Sequence, residues 1–463
     1  MSTQDFAFTT TICALATAPG GALHIIRMSG PQSLEIVGKI IDKPTDRWQP
    51  NSLHYAHVLD HGQVLDEVVV SCYKAPHSYT GEDCCEISCH GSTYIAHRLL
   101  QVLADNGATM AQPGEFTQRA FLNGKLDLSQ AEAVADLIAS KSKAAHRMAM
   151  NQLRGRFSSE LQQLREQLLR LTSLLELELD FSDHEDLEFA DRNDLLQLAT
   201  AIDCHISRLA MSYKAGQAIK EGIAVAIVGE TNVGKSTLLN RLLKENRAIV
   251  SDIHGTTRDT IEDTTQIGGL TFRFIDTAGL RQTDDAIEQI GIQRTHEAIR
   301  RASIVIWLTD ERPANRQIDE MYTLTADKTL IVVQNKTDLL KDNSLPACQK
   351  PEAWTCPMHF ISAKTGEGIE ALEQAICQAA QIPDLAPDQT IISSARHYHA
   401  LVHAQDSLQR VVNGLANPTP IVTNDLIAED LRIVLQDLAE ITGGQITPQE
   451  TLNNIFSHFC VGK

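Results

Sequence analysis

A chain of 463 residues is long enough for about three domains. Its 43% apolar and 21% charged residues match an ordinary soluble protein, and no apolar run approaches the roughly 18 residues of a membrane helix. A net charge of −19 argues against a broadly basic nucleic-acid surface, so any RNA contact must use local positive charge or a partner's. Ten cysteines point to free thiols in a reducing compartment, and Met1-Ser2-Thr3-Gln4-Asp5 opens without the basic segment of a secretory signal. The expectation is a cytoplasmic protein with no membrane segment.

In chain order, residues 1–122 carry short β-rich runs, such as Glu67-Val68-Val69-Val70 and Cys85-Glu86-Ile87-Ser88, broken by turns and one helix near Tyr94 to Leu103. Cys84-Cys85 with Cys89-His90 invites a metal reading. The alternation with Glu86, Ile87 and Ser88 and the missing C-x-x-C pairing favour a buried strand instead. Residues 123–220 read as helical, with leucines at i, i+3 and i+4 from Leu161 to Leu179. Lys141, Lys143, Arg147, Arg154, Arg156, Arg165 and Arg170 run through this stretch. A solvated helix face is the first reading of that run and an RNA contact the second.

Residues 221–381 have α/β character. The apolar strand Ile223 to Val228 precedes Gly229-Glu230-Thr231-Asn232-Val233-Gly234-Lys235-Ser236, and an amphipathic helix from Thr237 to Leu243 follows. Strand, G-x-x-x-x-G-K-S and helix in that order form a phosphate-binding loop. The glycines let successive N–H groups of Asn232 to Thr237 face phosphate oxygens at a helix N-terminus. Lys235 brings a point charge for the outer phosphates, and Ser236 an oxygen for magnesium.

Three further strand ends make the nucleotide guanine. Phe272 to Ile275 runs into Asp276-Thr277-Ala278-Gly279, where a carboxylate suits the magnesium water shell and the glycine N–H can sense the terminal phosphate. Ile331 to Gln334 ends in Asn335-Lys336-Thr337-Asp338, and Asp338 can accept from the guanine N1–H and exocyclic amine. Adenine cannot offer that pairing and would leave a buried carboxylate unpaired. Ser362-Ala363-Lys364, after Phe360-Ile361, fits the loop that packs on the base. Four motifs in order, each at a strand end, predict a GTP-binding domain.

Gly255-Thr256-Thr257-Arg258-Asp259 supplies a switch threonine, Thr257, able to reach magnesium. Leu280 stands where a Ras-like enzyme has the glutamine that orients the attacking water, so hydrolysis needs another group. Glu288 is the candidate, with a solvated charge at a helix start as its rival. The Asn232 amide oxygen could help hold a monovalent cation beside the phosphates. After Ile382-Pro383-Asp384-Leu385-Ala386-Pro387, helical periodicity returns from Leu426 to Leu438 in the segment 382–463. Helical segments on both sides suggest one helical domain with the GTPase inserted into it.

The chain resembles the MnmE (TrmE) family of bacterial tRNA-modifying GTPases over nearly all its length. Outside the GTPase motifs the resemblance rests on Ile25-Ile26-Arg27-Met28-Ser29-Gly30, on Pro76-His77-Ser78-Tyr79-Thr80-Gly81-Glu82-Asp83, on Pro113 through Leu128, and on Phe459-Cys460-Val461-Gly462-Lys463. It implies a multidomain α/β plus α fold. An N-terminal β-rich α+β domain binds folate and dimerises, a helical domain is built from two segments, and a Ras-like P-loop domain with a mostly parallel sheet is inserted. Arg27, Glu82, Lys125 and Lys463 fall at positions associated with the folate, a 5-formyl- or 5,10-methylene-tetrahydrofolate. Structural salt bridges compete with the folate role for the charged members. Leu23 and His24 depart from the family's smaller residues before the folate arginine and could reshape the pocket wall.

The resemblance further implies a homodimer working with the flavoprotein MnmG on the wobble uridine of certain tRNAs. Together they add an aminomethyl or carboxymethylaminomethyl group at C5. GTP turnover in the family requires potassium and pairing of two GTPase domains. By position, Asn232 and Thr256 side chains with Ser251 and Ile253 carbonyls would ligate K+, Ser236 and Thr257 would ligate Mg2+, and Glu288 would orient the water. Cys460 is a functional candidate in the C-terminal motif, with a plain tail cysteine as its rival. A ribosome-assembly GTPase is the alternative from another class, and a folate-binding regulator with no part in tRNA chemistry is a third.

Overall fold

The computed structural model describes residues 9–180, 192–245, 263–275, 288–339, 358–382, 389–417, 424–444, 449–457 and 459–462. The chain divides into two compact units. One comprises Met1–Ala139, Ala149–Arg208 and Arg396–Lys463, and the other Ser140–Met148 and Leu209–Ala395.

The first unit opens with β1 (Ile12–Leu15), β2 (Leu23–Ser29), α1 (Ser33–Ile40), β3 (Ser52–Asp60), β4 (Gln63–Tyr73), β5 (Cys84–His90), α2 (Thr93–Asp105), β6 (Thr109–Met110) and α3 (Glu115–Leu122). The strands form one sheet in the order β3-β4-β5-β2-β1-β6, antiparallel except for the β1–β6 pair. Period-two alternation along β4 and β5 sends Val68, Val70, Cys85 and Ile87 into a core shared with Ile36, Val37 and Ile40 of α1 and Leu99 and Leu103 of α2. The strand reading of Cys84 to His90 is correct, and burial pushes the Cys84 thiol up to about 12 and Cys89 to about 11. The sequence reading of a single helix here is corrected, because α1 and α3 are also present.

Helices then dominate: α4 (Leu128–Ala139), α5 (Lys143–Leu153), α6 (Arg156–Asp180), α7 (Arg192–Met211) and α8 (Tyr213–Glu221). Leu161, Leu164, Leu168, Leu171 and Leu175 all lie on the buried stripe of α6, as their spacing requires. Each contributes on the order of 2 kcal/mol by burial.

The second unit holds β7 (Ile223–Val228), α9 (Lys235–Glu245), β8 (Asp263–Ile267), β9 (Leu270–Phe274), α10 (Glu288–Arg301), β10 (Ile304–Thr309), α11 (Asn315–Leu324), β11 (Thr329–Gln334), β12 (Met358–Phe360) and α12 (Ile369–Ala379). Its sheet runs β12-β11-β10-β7-β9-β8 and is parallel except for the β8–β9 hairpin, turned by Gly268 and Gly269 at φ 59° and 82°. Parallel strands covered on both faces must be apolar throughout. Accordingly Ile223, Val225 and Ile227 of β7 enter one core, while Ala224, Ala226 and Val228 enter another. The chain ends in helices α13 (Ala395–Ala416), α14 (Asn424–Thr442) and α15 (Gln449–Ser457). In the first unit α14 packs along α6, with Leu431, Val434, Leu438 and Ile441 buried.

Candidate functional site

The carboxyl ends of β7, β11 and β12 point the same way and release the chain into three loops, the usual position for a ligand crevice in a parallel sheet. The first loop begins at Gly229, whose φ of 153° brings its backbone against Leu308; a Cβ there would stand 2.1 Å from the Leu308 carbonyl oxygen. Asn232 and Gly234 take left-handed φ values of 63° and 99°. These reversals curl the loop onto the N-terminus of α9, where Lys235 and Ser236 are the first two residues. The Lys235 ammonium donates to the carbonyls of Gly229 at 2.8 Å and Glu230 at 2.6 Å. Burial lowers its pKa, and the Glu230 charge opposes that shift.

Asn335 ties the loops together from a buried position. Its Nδ2 donates to the Val233 carbonyl at 2.8 Å, and its Oδ1 accepts from the Ala363 N–H at 2.9 Å. Ser362 Oγ donates to Asp338 Oδ1 at 2.7 Å and accepts from the Thr365 N–H at 3.2 Å. Asp338 is thereby aimed by the neighbouring loop, with a carboxylate oxygen left to accept further donors. Lys336, left-handed at φ 64°, forms an ion pair with Asp310 at 2.9 Å. The structure thus gathers Asn232, Val233, Gly234, Lys235, Ser236, Asn335, Lys336, Asp338, Ser362 and Ala363 at one end of the sheet. Lys364 follows Ala363 in the third loop, and Thr237 is the third residue of α9.

Ser251, Ile253, Thr256, Thr257, Asp276, Thr277, Ala278, Gly279 and Lys463 lie outside the described residues. Glu288 is the first residue of α10, and its side chain also lies outside the description.

A second polar cluster occupies the first unit. Arg27 on β2 faces Glu86 on β5 across the sheet and pairs with it at 2.8 Å. It also donates to the Gly462 carbonyl at 3.2 Å and lies 5.4 Å from the Tyr79 ring centre and 5.8 Å from that of Phe116. The C-terminal tail therefore reaches the sheet beside Arg27. Cys460 is exposed there, and its carbonyl accepts from the Gly114 N–H at 3.4 Å. Glu82 accepts from Ser29 Oγ at 2.7 Å and from Arg119 at 3.2 Å, and Arg119 also pairs with Glu115 at 2.9 Å. Lys125 donates to the Pro76 carbonyl at 3.0 Å. Sequence reading did not single out Glu86, Arg119 or Asp310 as members of these clusters. Only the acidic residue directly after the apolar run of β10 left a signal for Asp310.

A family model described as the GTP-binding protein TrmE N-terminus matches residues 11–125, and one described as the MnmE helical domain matches residues 128–460. The second match alone spans more than half of the chain. The chain belongs to the MnmE family. Among MnmE relatives, the tRNA modification GTPase MnmE of Phocaeicola vulgatus is 50% identical, over 98% of this chain and 99% of that protein. The protein of the same name from Bacteroides thetaiotaomicron is also 50% identical with the same coverage. That of Porphyromonas gingivalis is 48% identical, covering 98% of each. Among solved structures, the G domain of the T. maritima FeoB iron transporter covers 34% of this chain and 99% of its own at 24% identity and a TM-score of 0.25. This MnmE-family chain is a GTP hydrolase. Among the described residues no helix is long and apolar enough to cross a membrane.

Proposed function

We propose that this GTP hydrolase acts in tRNA modification in the cytoplasm. As a homodimer with the flavoprotein MnmG, it would install aminomethyl or carboxymethylaminomethyl groups at C5 of the wobble uridine. The observation that carries this reading is the 50% identity, over 98% of the chain, to proteins named tRNA modification GTPase MnmE.

Ser236, Asn232, Arg27 and Glu82 carry polar groups suited to the expected ions and cofactor. Ser236 at the start of α9, with Thr257, would hold magnesium, which neutralises developing charge on the phosphates. Asn232, exposed in the left-handed conformation within the phosphate loop, would hold potassium with Thr256, Ser251 and Ile253. Lys235 would bind the outer phosphates, and Glu288 would orient the attacking water. Asp338 would read the guanine edge, held in place by Ser362.

In the first unit, Arg27 lies near two aromatic rings and Glu82 is fixed by Ser29 and Arg119, an arrangement suited to a flat heterocycle bearing carboxylates. Arg27, Lys125 and Lys463 would hold the carboxylates of a tetrahydrofolate and Glu82 its amino edge; when bound, that cofactor supplies a one-carbon unit. The exposed Cys460 thiol stands on the same tail as Gly462, whose carbonyl meets Arg27.

Nucleoside mass spectrometry of tRNA from cells lacking the protein tests the reading. Loss of C5-aminomethyl-type wobble uridines, restored by wild type but not by Asp276→Ala, is the expected result. Unchanged wobble nucleosides, with no redundant enzyme, would point to ribosome assembly instead.

A further inference from the structure

The carboxyl end of β10 lies directly against the phosphate loop, because the Leu308 carbonyl fills the space where Gly229 would otherwise carry a Cβ. Two residues on, Asp310 meets both the end of β11 and the guanine loop. Its backbone carbonyl accepts from Gln334 Nε2 at 3.5 Å, and its carboxylate takes the Lys336 ammonium at 2.9 Å. The Asn335 N–H also donates to the Thr309 carbonyl at 2.7 Å, so the two strand ends are stitched on either side of this ion pair. Lys336 holds a left-handed φ of 64°, a conformation that a lysine adopts only where its surroundings impose it.

We propose that Asp310 is a positioning residue for guanine-nucleotide binding, fixing the Lys336 side chain across the gap between the guanine loop and the phosphate loop. This rests on the guanine-site reading and adds to it a residue outside the four nucleotide motifs. Lysine loses much rotamer freedom when immobilised, so a carboxylate that holds it before binding removes that loss from the binding step. The pair is partly exposed, at 34% and 39% of the side-chain surface, so its effect is modest and sensitive to salt. The Lys336 hydrogen bond, more than any other cause, holds the Asp310 carboxyl below the usual aspartate value, as expected of a carboxylate that meets an ammonium. Gln317 on α11 donates to Glu230 of the phosphate loop at 3.3 Å, but neither group meets Lys336 in the contacts described, so it is not a substitute anchor.

A double-mutant cycle on the full-length chain tests the assignment, with a fluorescent GDP analogue as probe. Asp310→Asn should weaken binding about threefold to fivefold in low salt, with the difference shrinking as salt is raised. On a Lys336→Met background the same change should have no further effect. Asp310→Glu should recover part of the affinity. A merely structural role for Asp310 would weaken binding by the same factor whether or not Lys336 is present, and that additive result overturns the proposal. So does an Asp310→Asn variant that binds as wild type. Wild type that binds no guanine nucleotide would overturn the guanine-site reading itself, and this inference with it.

Discussion

Asn335 donates to the Val233 carbonyl at 2.8 Å, so one buried side chain fastens the loop after β11 to the loop after β7. Its other amide atom accepts from the Ala363 N–H, which brings the third loop into the same joint. Asn335→Ala leaves both backbone groups without these partners, a loss of about 2–4 kcal/mol. The expected outcome is GDP binding weakened tenfold or more, on the order of 1.4 kcal/mol per decade, with faster hydrogen exchange at the Ala363 amide. Exchange at wild-type rate would show that the joint is not held by this side chain.

Gly229 tests whether the close approach of strand and loop is required. A methyl group would stand 2.1 Å from the Leu308 carbonyl oxygen, and the φ of 153° is itself unfavourable for alanine. Gly229→Ala should therefore destabilise the second unit by more than about 2 kcal/mol and abolish nucleotide binding. Gly62→Ala is the matched control, with φ 83° but nothing within 4 Å of the added carbon. It should lose only about 1 kcal/mol, from backbone strain alone. Equal thermal shifts in the two variants would show that the contact with Leu308 does not matter.

The proposed potassium dependence would turn on Asn232. Its left-handed φ of 63° means that alanine would alter the backbone as well as remove the amide. Asn232→Gly accepts that φ freely and removes only the side chain. GTP turnover in wild type should be much faster in potassium than in sodium at matched ionic strength. In Asn232→Gly the two rates should become equal while GDP affinity is kept. A glycine variant that still prefers potassium would exclude the amide as a ligand.

What the sequence made legible follows from physical range. β7 and β11 could be read because strands buried on both faces are continuous apolar runs, and their loops carry local motifs. The α6 stripe could be read because its leucines repeat at helical spacing. α3 could not, since Gly114 at its start is left-handed and closely packed against Phe456 and Phe459 from the far end of the chain. Arg119 gave no signal either. Its 1% exposure depends on Thr10, Glu82 and Glu115 converging on it, and in sequence it is an ordinary helical arginine. The Arg27–Glu86 pair needs the β2–β5 register, which periodicity does not supply.

The group formed by the half-buried Glu132 and Arg396 with the buried His397 gives a prediction about acid. Arg396 donates to Glu132 at 2.9 Å and to the Glu440 and Ile441 carbonyls at the end of α14, and His397 lies 2.7 Å from the same carboxylate. Burial acts to raise the Glu132 pKa, but the charges and hydrogen bonds of His397 and Arg396 outweigh it and pull the value from 4.5 down to about 2. A carboxyl depressed in the folded state contributes stability that is fully present above its unfolded pKa. That contribution is lost as pH falls through the folded value. Wild type should therefore lose on the order of 3 kcal/mol between about pH 4.5 and pH 2 from this group. Glu132→Gln removes the titration, so its thermal midpoint should be lower than wild type at pH 6, with the gap closing across that window. A gap that stays constant down to pH 2 would mean that Glu132 titrates alike in the folded and unfolded chain, and that the three residues are held by packing rather than by charge.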